Sequence, residues 1–179
     1  RSSDLAKVGR NNKEVVIGIS PAFGVQIFKS TADHFGSEIL KSILEGVAEK
    51  SCVGRVVRVR HTADTSFLGL TAANLSGSGY SIGLQAKGTS VIHNITRYPH
   101  NNIELFSQAP ITTLNDYFNL GKNAASYVLG EDPEPVEVQY TGQALSSRYH
   151  VQTALIYAIE TGLIVEEAKP EELEVVFHD

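Results

Sequence analysis

Short β-branched runs alternate with amphipathic stretches along this chain, and that alternation constrains its fold more than any other feature. Residues 14–19 bring Val15, Val16, Ile17 and Ile19 together before Pro21 and Gly24, the pattern of a buried strand running into a loop. Ile39, Leu40, Ile43, Leu44 and Val47 then recur at helical spacing behind Ser37, the expected N-cap. Residues 55–60, RVVRVR, predict a second strand. Asp64 opens a helical stretch through Phe67, Leu68, Leu70 and Ala73, stopped by Gly77 and Gly79. Residues 80–84 and 90–93 predict two short strands separated by Lys87 and Gly88. Thr113 is placed to cap a long helix that carries Leu114, Tyr117, Phe118, Leu120, Ala124 and Val128 and ends near Gly130. Past an acidic connector at 131–135, Val151, Ala154, Leu155, Ala158 and Ile159 predict a last helix closed by Gly162. Residues 163–165 and 173–177 predict two final strands. The order implies an α/β fold with a largely parallel sheet. A chain of 179 residues is one domain's worth. It divides into a loose arm (1–13), an α/β core (14–130) and a C-terminal extension (131–179) packed on the same domain.

Charge and composition exclude several classes of function. Fifteen Lys and Arg against 20 Asp and Glu leave a net charge of −5, opposite to what phosphate neutralisation by a nucleic-acid binder requires. No apolar run approaches the roughly 20 residues that cross a bilayer, and no secretory segment is visible, so a cytoplasmic protein is expected. The one cysteine, Cys52, rules out an internal disulfide and points to a reducing compartment. The six histidines show no metal-ligand spacing, so no protein-ligated metal is expected. No nucleophile elbow is expected, and Cys52 lies far in sequence from any histidine. Gly77, Gly79 and Gly83 are spaced GxGxxxG and follow a helix, whereas a dinucleotide fingerprint follows a strand; a turn with positive φ is the better reading. Arg55, Arg58, Arg60 and His61 read best as a solvated strand face paired with the acidic C-terminal tail.

One region remains. Asp64, then Lys87, Gly88 and Thr89, then residues 102–110 each fall where a strand hands over to a loop, and ligands of open α/β sheets bind outside the carboxyl ends of strands. A lysine beside a glycine offers a point charge and close backbone approach. Leu105, Phe106 and Ala109 offer apolar contact to a large ring. This reads as one wall of a binding site, with no catalytic residue, and the other wall must come from elsewhere.

The same residues carry a family resemblance. NLSGSG (74–79), IGLQAKGT (82–89), VIH (91–93), NIELFSQAP (102–110), GKNAA (121–125), SPAFG (20–24) and RVVR (55–58) together resemble the medium (β) subunit of adenosylcobalamin-dependent diol and glycerol dehydratases. The similarity spans about residues 14–175 and is weakest at 139–147. It implies a three-layer α/β/α, Rossmann-like domain of the anticodon-binding-domain-like type, with a mostly parallel sheet. It implies partners: a large barrel subunit holding the diol, the metal ion and the catalytic residues, and a small subunit, arranged as a dimer of heterotrimers. It implies adenosylcobalamin held between the large and medium subunits, with this chain under the lower, nucleotide-loop side. Within the resemblance, Lys87 and Asp64 match positions that reach the cobalamin periphery, Thr89 lies beside them, and Leu105, Ser107 and Ala109 match a loop near the lower base. The Asp-x-His-x-x-Gly motif of proteins that replace the lower base with histidine is absent, as base-on binding requires. Some members carry a longer N-terminal extension concerned with microcompartment packaging. The small subunit of the dehydratase-reactivating factor shares the implied fold and is the alternative; a nucleotide-binding domain is a third.

Overall fold

The computed structural model describes residues 5–106, 111–136 and 147–177, with only the backbone described for 147–150. A six-stranded sheet runs in the order β5-β4-β3-β1-β2-β6. Its strands are β1 (Glu14–Ile19), β2 (Val53–Arg58), β3 (Tyr80–Leu84), β4 (Ser90–Asn94), β5 (Glu104–Phe106) and β6 (Glu171–Leu173). Helices α1 (Gly36–Glu49), α2 (Thr65–Leu75), α3 (Leu114–Leu129) and α4 (Ser147–Gly162) complete the chain.

Strand alternation divides the core into two layers. Val15, Ile17 and Ile19 of β1 face one way, onto a cluster with Ile39, Ile43 and Val47 of α1 and Tyr117, Leu120 and Ala124 of α3. Val16 faces the other way, with Val57 and Val59, onto Leu68 and Ala72 of α2. Both faces of β1 are therefore buried, which explains its unbroken apolar run.

The sheet is mixed, which corrects the expectation of a mostly parallel one. Only β1–β2 and β1–β3 are parallel; β3–β4, β4–β5 and β2–β6 are antiparallel. The links from β3 to β5 are too short to hold a crossover helix, and a parallel connection needs about a dozen residues or more. Other boundaries also move. Strand β2 begins at Val53 and stops at Arg58 because β1 offers partners only from Glu14 to Ile19. Helix α1 starts at Gly36, so Ser37 lies inside the first turn; Phe35 takes the cap position and its N–H donates to the Glu38 carboxylate at 3.2 Å. Residues 163–165 form no strand, since β6 already occupies the outer edge of β2; Val165 donates a single bond to Arg60 O. Strand β6 ends at Leu173, and Val175 and Phe177 pack on the core without pairing. Thr113 does cap α3, accepting from Asp116 N, as its position predicts. Among residues 5–13, Ala6 N–H donates to Pro170 O and Gly9 N–H to Leu75 O.

Helices α1 and α3 touch backbone to backbone. A Cβ on Gly121 would lie 2.2 Å from Ile43 O, and one on Gly46 would lie 2.0 Å from Phe118 O. Gly121→Ala gains about 1 kcal/mol of helix propensity, but overpacking costs about 1–3 kcal/mol or more when the obstacle is backbone. We expect a net loss of stability, with a lower urea midpoint at unchanged m-value; a midpoint equal to or above that of wild type would show that separating the helices costs no more than the propensity gained.

Candidate functional site

The carboxyl ends of the parallel strands β1 and β3 lie side by side, and the chain builds a rigid turn there. Gln85 N–H donates to Thr89 O and Gly88 N–H to Gln85 O, closing a three-residue hairpin loop of Ala86, Lys87 and Gly88. Gly88 has φ of 105°, a conformation that disfavours any side chain. The loop's carbonyls are clamped from outside. Lys87 O accepts from Thr31 N and Thr31 Oγ1 at 3.1 and 3.0 Å, and Gly88 O accepts from Tyr117 Oη at 2.7 Å. Tyr117 is fully buried, and that burial pushes its hydroxyl pKa up, keeping it a neutral donor. The Lys87 ammonium, by contrast, forms no ion pair among the described residues and stands at the apex of a fixed turn.

The neighbouring elements bring up three more of the expected residues. Asp64 is the N-cap of α2: Oδ1 accepts from Ser66 N at 2.9 Å and Phe67 N at 3.2 Å, and among the described residues Oδ2 has no hydrogen-bond donor. Gln85 Nε2 donates to Ala63 O, which ties this helix end to the turn. Thr89 is buried beside Gly88. Leu105 pairs across from Val91 on the edge strand and is 59% exposed. Asp64, Lys87, Thr89 and Leu105 thus share one end of the sheet. Ser107 and Ala109 lie outside the described residues.

A second element of the same chain lies beside the turn. Helix α4 crosses this end of the sheet and forms a small cleft with the turn. Ala63, Gln85, Ala86 and Lys87 line one side, and Thr153, Ile156, Tyr157 and Glu160 the other. Sequence reasoning missed Glu160. The available signal was a carboxylate four residues after Ile156, at the end of a stretch (151–159) that holds no other charge.

Arg58 was also misjudged. Arg60 does pair with the acidic tail, bidentate to Glu171 at 2.7 and 3.0 Å, and its hydrogen bonds hold the Glu171 carboxyl below the usual range. Arg55 Nε lies 3.7 Å from Glu172. Arg58 instead points inward and is buried; its Nη1 donates to the carbonyls of Ser20, Pro21 and Phe23. Burial first, then Arg60, draws its pKa down.

Other candidate chemistries fall away on geometry. Gly79, Tyr80, Ser81, Ile82 and Gly83 do have the GxSxG spacing of a nucleophile elbow, which the sequence reading overlooked. Ser81 lies fully buried within β3, however, and its hydroxyl donates to Gly69 O. Gly79 has φ of 80°, the turn expected before that strand. His93 is a satisfied core residue: Nδ1 accepts from Asn94 N and Nε2 donates to Pro99 O. Among the described residues, no three His, Cys, Asp or Glu side chains converge to hold a metal. No described helix is long and apolar enough to cross a membrane.

Comparison with known proteins now bears on this geometry. A family model described as dehydratase medium subunit matches residues 20–134, which include the loop after β1, the Lys87 turn and α3. The chain belongs to that family. Membership of a medium-subunit family implies partner subunits. Two solved structures share the fold. One, titled glycerol dehydratase reactivase, is 17% identical with a TM-score of 0.57, covering 69% of this chain and 97% of its own. The other, a diol dehydratase-reactivating factor complexed with ADP and Mg2+, is 15% identical with a TM-score of 0.54, covering 68% of this chain and 97% of its own. Helix α4 and strand β6 lie beyond the residues that the family model matches.

Tyr117→Phe tests the clamp on the turn. It leaves Gly88 O buried without this donor, at a cost of about 1–3 kcal/mol. The neutral phenol is favoured in the fold, so this contribution is whole below the ordinary tyrosine value of 10.0 and is lost as pH rises above it. Unfolding measured from pH 7 to 11 should therefore show the two proteins' stabilities converging above pH 10. A constant gap would mean the hydroxyl does not stay neutral in the folded protein.

Proposed function

We propose that this chain is the medium subunit of an adenosylcobalamin-dependent diol or glycerol dehydratase and holds the lower, nucleotide-loop side of base-on cobalamin. In this reading the large subunit carries the diol, the metal ion and the catalytic residues, and this chain contributes none. The three kinds of subunit assemble as a dimer of heterotrimers. The complex converts a 1,2-diol or glycerol to an aldehyde and water.

The observation that carries the proposal is the fixed turn with the Lys87 ammonium, which forms no ion pair among the described residues, flanked by the Asp64 carboxylate and the exposed Leu105. That donor set suits a corrin's periphery, which presents amide groups, a phosphodiester and apolar ring surface. Lys87 would donate to a carbonyl or phosphate oxygen. Asp64 Oδ2 would accept from an amide N–H. Leu105 would cover apolar surface. Adenosylcobalamin supplies the radical chemistry when bound. This chain's part is to orient the cofactor and to keep water from its lower face.

A second reading, the small subunit of a dehydratase-reactivating factor, is favoured by the fold shared with the two reactivase structures. Against it, those structures account for little more than two thirds of this chain. Co-purification separates the two: a reactivase subunit travels with an ATPase partner and retains no cobalamin.

The direct test co-expresses this chain with large and small dehydratase subunits and measures cobalamin retained after gel filtration. Lys87→Ala should weaken retention by about tenfold, the loss of one charge-assisted hydrogen bond, with the assembly intact. Asp64→Ala removes the α2 cap as well, so Asp64→Asn, which keeps a capping oxygen, isolates the effect on the ligand. Retention and turnover equal to wild type in both Lys87→Ala and Asp64→Asn would remove these residues from the site.

A further inference from the structure

Glu160 is the only ionised group of α4 that reaches the sheet among residues whose side chains are described, and its surroundings form a receptor. Its Oε1 accepts from the Ser20 hydroxyl and, at 3.2 Å, from Ala86 N–H; its Oε2 accepts from Ala22 N–H at 2.8 Å. Ser20 is fully buried and Glu160 is 3% exposed. Two of the donors belong to the loop after β1 and the third to the turn after β3, so one carboxylate bridges the ends of both strands. Arg58 presents those donors. By holding the carbonyls of Ser20, Pro21 and Phe23 on its own side, it fixes the loop with the Ala22 N–H and the Ser20 hydroxyl toward the helix.

Among the described residues, helix α4 has few other contacts to hold it. Val151, Leu155 and Ile159 are 58%, 59% and 42% exposed, and Ile156 packs on the core. Yet the helix carries half of the cleft. Thr153 and Tyr157 lie on the cleft side, seven and three residues before Glu160, and face Lys87. Thr153 Oγ1 is buried there with no hydrogen-bond partner among the described residues. The carboxylate is bonded to Ala86, the residue adjoining Lys87, so α4 and the lysine turn are held in one frame.

We propose that Glu160 is a positioning residue: seated in this receptor, it sets α4 as the second wall of the Lys87 cleft, with the Thr153 hydroxyl as a further contact to the bound group. The proposal rests on the cofactor reading above only for the identity of that group. The affinity of a site that exists only while a wall is docked falls in proportion to the docked fraction. Helix docking and ligand affinity must then change together.

The test uses the co-expressed complex of all three subunits, with hydrogen exchange of residues 153–163 measured without cobalamin and cobalamin affinity measured separately. Glu160→Gln puts an amide N–H2 against the receptor's donors. It should raise exchange in α4 in proportion to the undocked fraction and lower cobalamin affinity in proportion to the docked fraction, by about tenfold where a tenth of the molecules remain docked, while exchange in α1 and α3 stays at the wild-type level. Ser20→Ala, which removes one donor, should move both quantities in the same direction and by less. If Glu160→Gln prevents assembly, Ser20→Ala decides alone by the same criterion. Exchange that shows α4 mostly undocked at unchanged affinity, or wild-type exchange in the variants, overturns the proposal. Lys87→Ala separates the two readings. If it weakens binding while Glu160→Gln and Ser20→Ala do not, the positioning role fails and the cofactor reading stands. If it leaves binding untouched while Glu160→Gln weakens it, the cofactor contact assigned to the lysine fails and the role of Glu160 survives.

Discussion

Between Leu84 and Ser90 the chain has a short loop in which to turn, and the geometry of this end of the molecule follows from that. A link so short cannot carry a crossover helix, so β4 must run back along β3. The reversal happens beside the carboxyl end of β1, because β1 and β3 are parallel and in register from Val16–Ser81 to Ile19–Leu84. Lys87 is consequently delivered to the place where an open α/β sheet offers a crevice. Each outside contact to the turn then comes from a different part of the chain: Thr31 from the loop after β1, Tyr117 from α3, and Glu160 from α4. The rigidity of the turn is a tertiary property. Only the Gly88 backbone conformation and the two loop hydrogen bonds are local.

The loop after β1 shows how two buried charges share work without touching. A buried guanidinium and a buried carboxylate are each costly to desolvate unless hydrogen bonds compensate. Arg58 is compensated by three carbonyls and Glu160 by two N–H groups and a hydroxyl, five of these six partners being supplied by residues 20–23. Residues 20–23 thus present acceptors to one ion and donors to the other. The loop is polarised across its width, and each ion orders the backbone that the other one needs.

This division also explains what could and could not be read from the sequence. The core elements were legible because their burial is periodic: Val15, Ile17 and Ile19 against one face, Val16 against the other, and Thr113 ahead of a helix that needs a cap. Asp64, Lys87, Thr89 and Leu105 could be placed at one sheet end because strand-to-loop transitions show in the pattern. Strand direction could not be read, because the pattern of a short strand is the same whichever way it runs; the shortness of the Lys87 link was the overlooked clue. Ser37 was one residue inside a helix whose start is set by Glu38 reaching back to Phe35. Arg58 and Glu160 resisted prediction for a common reason. Each is a charged residue whose partners are backbone groups distant in sequence, and no side-chain pattern advertises a carbonyl or an N–H.

The shared fold and the extension contribute different things to the cleft. The family match, ending at residue 134, contains the turn, the capped helix and the loop polarised by Arg58, and so contains one wall and its cation. The opposite wall lies beyond it, in a helix whose described apolar side chains are largely exposed and which is held by the Glu160 carboxylate and by Ile156 on the core. A chain that kept the sheet but lacked α4 would leave Lys87 on an open edge, where water competes for the ammonium and a charge-assisted hydrogen bond is worth little. With α4 seated, the same lysine lines a cleft with apolar atoms of Ile156 and Ala63 around it, where such a bond gains strength from the lower local dielectric. In the proposed site, the difference between an α/β sheet edge and a binding cleft is one docked helix, seated by Ile156 on the core and by the hydrogen bonds of the Glu160 carboxylate.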